Sequence, residues 1–477
     1  MYTKQMRTLL PMACLMAAIP AFGSDTGPSS SQSPYLVPVA PGVQTVSVLT
    51  VGDIVENDGL AYRMVGIPDG LGAFDNGDGT FTVLMNHELR NNVGFIRDHG
   101  AIGAFVSKWT IRKRDLKVLK GEDLIQGIAT WNTGTINWNA PALGVALHRL
   151  CSADLASASA FFNAAAGKGF NGRIFMDGEE SDTVGRAFAH LMDGTSYELP
   201  RLGKMAFENV VAHPASGDKT IVAVTDDGPG GQVYVYVGAK TNVGANAIVQ
   251  AGLNNGTLYG IKAPFLTEVD GTVVPAAGTP FEMVSLGDVS ALSGAQLETN
   301  SDTGLVTEFF RPEDGAWDPN NPNDFYFVTT AGFTAKSRLW RLRFDDIANP
   351  AAGGTLFMVL DGAEGQKMLD NIGISGNGQI VMQEDPGSQN HIAKVWRYSI
   401  ANGALEMVAQ HDPQRFDPAV AAPLLTMDEE SSGVIDVSAI LGNGWYLLDV
   451  QGHYNIGDTE LVEGGQLLLM RIPPGRK

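Results

Sequence analysis

Residues 369–386 read LDNIGISGNGQIVMQEDP. An acid, Asp370, opens a short apolar stretch, Ser375-Gly376-Asn377-Gly378 supplies a turn, and a second apolar strand runs to Glu384 and Asp385. Gly and Asn accept the left-handed backbone of tight hairpin turns, and the flanking β-branched residues favour extended chain. The segment is therefore a β-hairpin with carboxylates at its open end. The unit recurs along the chain. PDGLGAFDNGDG at 68–79 leads into FTVLMNHE, ending at Asn86, His87 and Glu88, and RIFMDGEE at 173–180 ends at Glu179 and Glu180. AFENVVAHPASGDK at 206–219, with Glu208, leads into TIVAVTDD, ending at Asp226 and Asp227. RPEDGAWDPNNPND at 311–324 leads into FYFVTTAG, and ESSGVIDVSAILGNG at 430–444 leads into WYLLDVQGH, with Asp449, Gln451 and His453.

Six second strands thus start near positions 81, 173, 220, 325, 379 and 445, and most are followed by a third alternating strand (FVSKWTI, VYVYVG, LWRLRF, VWRYSI). Short strands repeated with turn signals mean an all-β closed architecture, and units of this length predict a six-bladed β-propeller with inserted loops. The largest insertion is expected at 238–306, where SALSGAQLETN has the pattern of a short helix. Trp317, Trp340, Trp396 and Trp445 recur at strand positions and are expected in the core.

Composition narrows the function. The 477 residues carry 32 Lys and Arg against 52 Asp and Glu, a formal charge of −20. Such a chain repels phosphate backbones and anionic lipid surfaces, so no nucleic-acid or membrane partner is expected. A hydrophobic content of 44% with only 18% charged residues allows a large core, and 57 glycines with 24 prolines suit many turns. Residues 1–23 combine Lys4 and Arg7 with an apolar stretch and a small-residue end, the layout of a secretory signal peptide. Residues 24–45, rich in Ser and Pro, read as a flexible leader, and 46–477 as a single propeller domain. The expected product is a soluble periplasmic or secreted monomer whose sole cysteine is Cys151, so no intrachain disulfide stabilises it.

Equivalent strand ends of a propeller converge on one mouth of its channel. One acid in a turn is ordinarily a cap or a solvated residue. Acids recurring at the same place in several units gather instead, and like charges in one place are tolerable only with cations among them. Glu88, Glu179, Glu180, Glu208, Glu313, Asp370, Glu384, Asp385 and Glu430 are the candidate metal ligands. An oxygen-rich set selects Ca²⁺, with Fe³⁺ where a softer ligand joins. Cys151 reads either as a buried apolar residue or as a thiolate ligand. His87 and His453 are the two histidines in strand-end motifs. There is no GxSxG elbow, no phosphate-binding GxxxxGK[ST] loop and no HExxH, since His87-Glu88 lacks the second histidine.

In NHE at 86–88, RPEDGAWDP at 311–319, the stretch at 369–386 and DEESSGVIDVSAILGNGWYLLDVQGH at 428–453, the sequence resembles the PhoX-type alkaline phosphatases. The resemblance implies a secreted six-bladed propeller with a mixed iron and calcium cluster at the channel mouth, hydrolysing phosphate monoesters of small molecules. It implies that Arg311 and Glu313 are the phosphate-contacting arginine and its acidic neighbour, the catalytic pair, and that Glu208 binds metal. Glu179 and Glu180 correspond to an acidic pair that follows a cysteine in relatives. Here Gly178 stands in that place, which argues for calcium and against iron. Two other uses of the same fold stay open at this stage: a calcium-stabilised propeller that binds a protein or glycan without catalysis, and a phosphodiesterase or phytase-like activity.

Overall fold

A computed structural model of the chain describes residues 25–57, 59–244 and 246–473. The expected signal peptide, 1–23, lies outside the described residues. Each repeated unit forms a mainly antiparallel sheet whose first strand lines a central channel, with parallel edge pairings in the second and last units. These inner strands are β1 (Pro68–Asp75), β2 (Leu150–Asp154), β3 (Phe207–Ala212), β4 (Pro312–Trp317), β5 (Leu369–Ile374) and β6 (Glu430–Asp436). Each neighbours the next, and β6 returns to β1, so the ring closes. The architecture is an all-β propeller.

The second strands are Thr80–His87, Ile174–Glu179, Lys219–Asp226, Asp324–Thr329, Gln379–Glu384 and Trp445–Asn455. Their starts coincide with the recurrence in the sequence. DNGDG at 75–79 is a hairpin turn, in which the Gly77 N–H donates to Asp75 Oδ1 at 2.8 Å. The third and fourth units merge into one nine-stranded sheet because the strand Thr279–Gly287, inside the expected insertion, pairs with the outermost strand on each side. The same insertion carries helix α1 (Gly294–Gly304), started by a reciprocal capping box between Ser293 and Gln296.

Sheets that face a neighbour on both sides need apolar side chains on both faces, which is why the second strands read as nearly continuous hydrophobic runs. Phe325 and Phe327 pack toward the third unit with Trp317 and Trp340, while Tyr326 and Val328 pack toward the fifth with Leu369 and Ile380. Trp445 joins a cluster between the last and first units, and Trp396 packs at the edge of the cluster between the fourth and fifth.

The amino-terminal segment corrects one expectation. Residues 25–45 are not a loose leader: Asp25–Thr26 pairs with the strand Gln44–Thr50, and Leu36–Pro38 pairs with Leu405–His411. Tyr35 and Leu36 are buried in the core, and the Tyr35 N–H donates to Gln466 Oε1 at 2.7 Å. Gln44–Thr50 is also the outer strand of the last unit, pairing with Glu463–Arg471. Two apolar anchors and available sheet edges outweigh the polar composition around them. Among the described residues no helix is long and apolar enough to cross a membrane.

Candidate metal centre

The inner strands present their acids by a shared device. Asp69, Cys151, Glu208, Glu313 and Asp370 are each the second residue of β1 to β5, and Glu430 is the first of β6. In all six, pairing with the second strand slips soon after this position, for example between Pro68 and Leu71 or Leu369 and Ile372. A bulge of this kind bends the strand and re-aims a side chain, here at the same end of the channel. Four of the residues just ahead of the inner strands, Ile67, Arg149, Arg311 and Met368, have left-handed backbone, with φ between 41° and 58°. The carbonyls of this position accept N–H bonds from the residue after each second strand: Glu88 to Ile67 at 2.8 Å, Glu180 to Arg149 at 2.9 Å, Asp227 to Ala206 at 2.9 Å, Asp385 to Met368 at 2.9 Å. These bonds bring a second tier of acids beside the first.

The two tiers fuse into an arc. Four overlapping groups, Asp69–Glu88–Cys151, Cys151–Glu180–Glu208, Glu208–Glu313–Asp370 and Asp370–Asp385–Glu430, each hold ligand atoms within 4.8 Å of one another. Burial, reinforced by Glu88 and Glu208, holds the Asp69 carboxyl far above its ordinary range; burial also raises Glu180 (reinforced by Glu88), Glu313 (by Asp227) and Asp370 (by Glu208). Burial and Asp227 push Glu208 up to about 8, and burial and Glu430 push Asp385 up to about 7. Glu430 departs from this pattern. Burial acts to raise it too, but the hydrogen bond and charge of His453 outweigh burial and lower it. His453 Nδ1 in turn lies 2.7 Å from Glu463. Burial and Glu208 raise the Cys151 thiol, whose Sγ lies 3.5 Å from Asp69 Oδ2 and 3.7 Å from Glu180 Oε2.

Two arginines stand over the arc, both partly exposed. Arg311 Nη2 donates to Asp227 Oδ2 at 2.7 Å and lies 3.3 Å from Glu313 Oε1. Arg149 Nε donates to Glu88 Oε1 at 2.6 Å and its Nη1 to Glu180 Oε1 at 2.7 Å.

Of the residues expected from sequence, Glu88, Glu180, Glu208, Glu313, Asp370, Asp385 and Glu430 come together in this arc. Glu179 and Glu384 do not, because successive strand residues face opposite ways. Glu179 is held by Arg186, whose Nε and Nη2 each donate to it at 2.7 Å. Glu384 accepts from His391 and Trp396, each at 2.8 Å. His87 is structural: it bonds Gly66 O and Ser107, stacks on Phe105, and burial lowers it to about 3. The argument against iron from Gly178 also changes. A Cβ at 178 would lie 2.3 Å from Phe207 Cβ, so no side chain fits there, and the thiol of the arc is Cys151 on the adjacent inner strand. Asp69 and Asp227 belong to the site but were not singled out from sequence. The signal was present, since Pro68-Asp69 opens the first unit as Leu369-Asp370 opens the fifth.

The family model described as alkaline phosphatase PhoX matches residues 192–432. The chain belongs to the PhoX alkaline phosphatase family. It is therefore a phosphatase by family. PhoX of Pseudomonas fluorescens, solved in complex with vanadate, a transition state analogue, has the same fold: TM-score 0.66 at 12% identity, covering 91% of this chain and 97% of that one. The β-propeller domain of the Trilobed protease from Pyrococcus furiosus is far less similar, with TM-score 0.33 at 4% identity over 86% of this chain and 96% of that one. No curated protein matches the sequence.

The residues present fit a metal-dependent member of that family. Asp69 Oδ1 and Asp227 Oδ1 are buried with no hydrogen-bond partner, and so many carboxylates gathered in one arc repel one another unless cations stand between them.

Proposed function

We propose that this phosphatase hydrolyses small phosphate monoesters at the channel mouth, with multivalent cations held by Asp69, Glu88, Cys151, Glu180, Glu208, Glu313, Asp370, Asp385 and Glu430. The observation that carries the reading is the continuous arc of buried and half-buried donors beside a partly exposed Arg311. The donor set is graded. Cys151 with Asp69, Glu88 and Glu180 offers sulfur among oxygens and suits iron, whereas Glu208, Glu313, Asp370, Asp385 and Glu430 offer oxygen alone and suit calcium. Bound there, such cations supply the positive field and Lewis-acid polarisation that a phosphoryl group needs.

The protein's own part follows from its donors. Arg311 offers guanidinium N–H groups in a fork that matches two phosphate oxygens. Asp227 and Glu313 orient that fork, and Arg311, on left-handed backbone directly ahead of β4, keeps 41% of its side chain exposed. His453, held between Glu430 and Glu463, keeps its proton far above the usual histidine range and places a positive charge at the end of the arc. The segment 1–23 supports secretion, so the reaction is proposed to run outside the cytoplasm.

The test is hydrolysis of p-nitrophenyl phosphate with and without chelator, with elemental analysis of the same preparation. Turnover that disappears on chelation and returns with metal is expected, together with inhibition by vanadate. The Arg311→Ala variant should keep its metal and its unfolding temperature while losing roughly a hundredfold or more in kcat/KM. Bound metal without turnover on any phosphate ester would leave a metal-stabilised binding propeller in place of the enzyme.

A further inference from the structure

We infer that Arg149 is a second phosphate-binding residue, facing Arg311 across the reaction site; the inference rests on the phosphatase reading above. The two arginines hold the same place in the repeat. Each is the left-handed residue directly ahead of an inner strand, with φ of 43° for Arg149 and 58° for Arg311, and two residues later each strand delivers a member of the arc, Cys151 or Glu313. The corresponding residues of the other units are Ile67, Ala206, Met368 and Glu429, so these two units alone place a cation there. β3, with Glu208, lies between β2 and β4 in the ring. Arg149 and Arg311 therefore flank the sector that Glu208 occupies.

Their side chains are alike in exposure, 32% for Arg149 and 41% for Arg311, so both reach solvent from a base of buried carboxylates. Arg149 differs in its partners. Its nitrogens lie 2.6 Å from Glu88 and 2.5 Å from Glu180, both carboxylates of the arc. A guanidinium has five N–H donors in a rigid plane. When Glu88 and Glu180 give their lone pairs to a cation, part of that donor set is released, still positively charged and at the rim. A dianion arriving over Glu208 then meets donors from both sides. This suits a terminal phosphate, whose peripheral oxygens point to opposite flanks.

The experiment compares wild type, Arg149→Gln and Arg149→Lys, all loaded with metal. Elemental analysis reads the metal content, calorimetric titration reads the affinity for inorganic phosphate, and steady-state kinetics on p-nitrophenyl phosphate give KM and kcat. Loaded in excess metal, which offsets the lost contacts to Glu88 and Glu180, Arg149→Gln is expected to reach the wild-type metal content and bind phosphate roughly ten- to a hundredfold more weakly. Arg149→Lys keeps the charge without the fork and should recover only part of that affinity. Unchanged phosphate affinity in metal-loaded Arg149→Gln overturns the proposal. Loss of metal in both variants overturns it too, because Arg149 is then only a structural partner of Glu88 and Glu180. Failure of the underlying reading looks different: the wild-type protein itself, fully loaded, would neither bind phosphate nor turn over the ester.

Discussion

Glu179 and Glu180 are neighbours of the same chemistry with opposite fates. Glu180 is in the arc beside Cys151 and Glu208, whereas Glu179 is clasped by Arg186 on the other face of the strand end. Substituting each in turn separates site from scaffold. Glu180→Gln should lose metal and lower turnover by at least about a hundredfold, since removing even an outer partner of a ligand costs 10- to 100-fold. Glu179→Gln should keep its metal and instead lose about 1–3 kcal/mol of stability, because the Arg186 guanidinium forfeits a charged partner. Elemental analysis and urea unfolding of the pair check both outcomes, and equal metal loss in the two would refute the assigned strand register. At this scale the sequence was legible in kind and not in direction. Recurrence marked the acids near the strand ends, but only the bulges decide which of two adjacent acids points inward. Cys151 was undecidable for the same reason: it lies 27 residues before the glycine that seemed to replace it, and adjacency across two strands is not a spacing a single sequence displays.

At the scale of elements, the hairpin signal carried furthest. Turn glycines and alternating apolar strands located the second strands, and the stretch SALSGAQLETN located α1, whose start the structure shows to be a Ser293–Gln296 capping box, because each of these depends on residues only a few positions apart. Residues 24–45 read as a leader because their Ser and Pro content reflects exposed turns between two short pairings, while the anchors, Tyr35 and Leu36, find their partners in strands hundreds of residues later. Packing between elements explains Gly178 as well. The second strand of the second unit crosses β3 so closely that a methyl at 178 would meet Phe207 Cβ at 2.3 Å. Gly178→Ala should therefore cost about 1–3 kcal/mol by overpacking and displace β3 with its Glu208. Reduced stability in urea together with weakened metal binding is the expected pair of results. A variant as stable as wild type would show that the two strands part more easily than their packing suggests.

For the whole molecule the decisive quantity is charge. A phosphate dianion approaching a chain of net charge −20 is repelled, and eight carboxylates of that excess stand in one arc beneath the channel mouth. Without cations the arc relieves its repulsion by taking up protons, which is what the raised values of Glu208, about 8, and Asp385, about 7, express. In the unfolded chain the same groups release their protons near pH 4. Between about pH 4 and 8 the folded protein thus binds more protons than the unfolded one, and linkage makes the metal-depleted protein lose stability as pH rises through that window. Calcium reverses the sign. It competes with protons for the ionised arc, binds more tightly as they leave, and stabilises the folded state by mass action. Unfolding temperatures measured from pH 5 to 8.5 should therefore fall with pH in chelator and hold level or rise in millimolar calcium, so that the two curves diverge. Parallel curves would mean that cations do not replace the protons of the arc. The same competition predicts that phosphatase activity rises toward alkaline pH as the last of these carboxyls ionises.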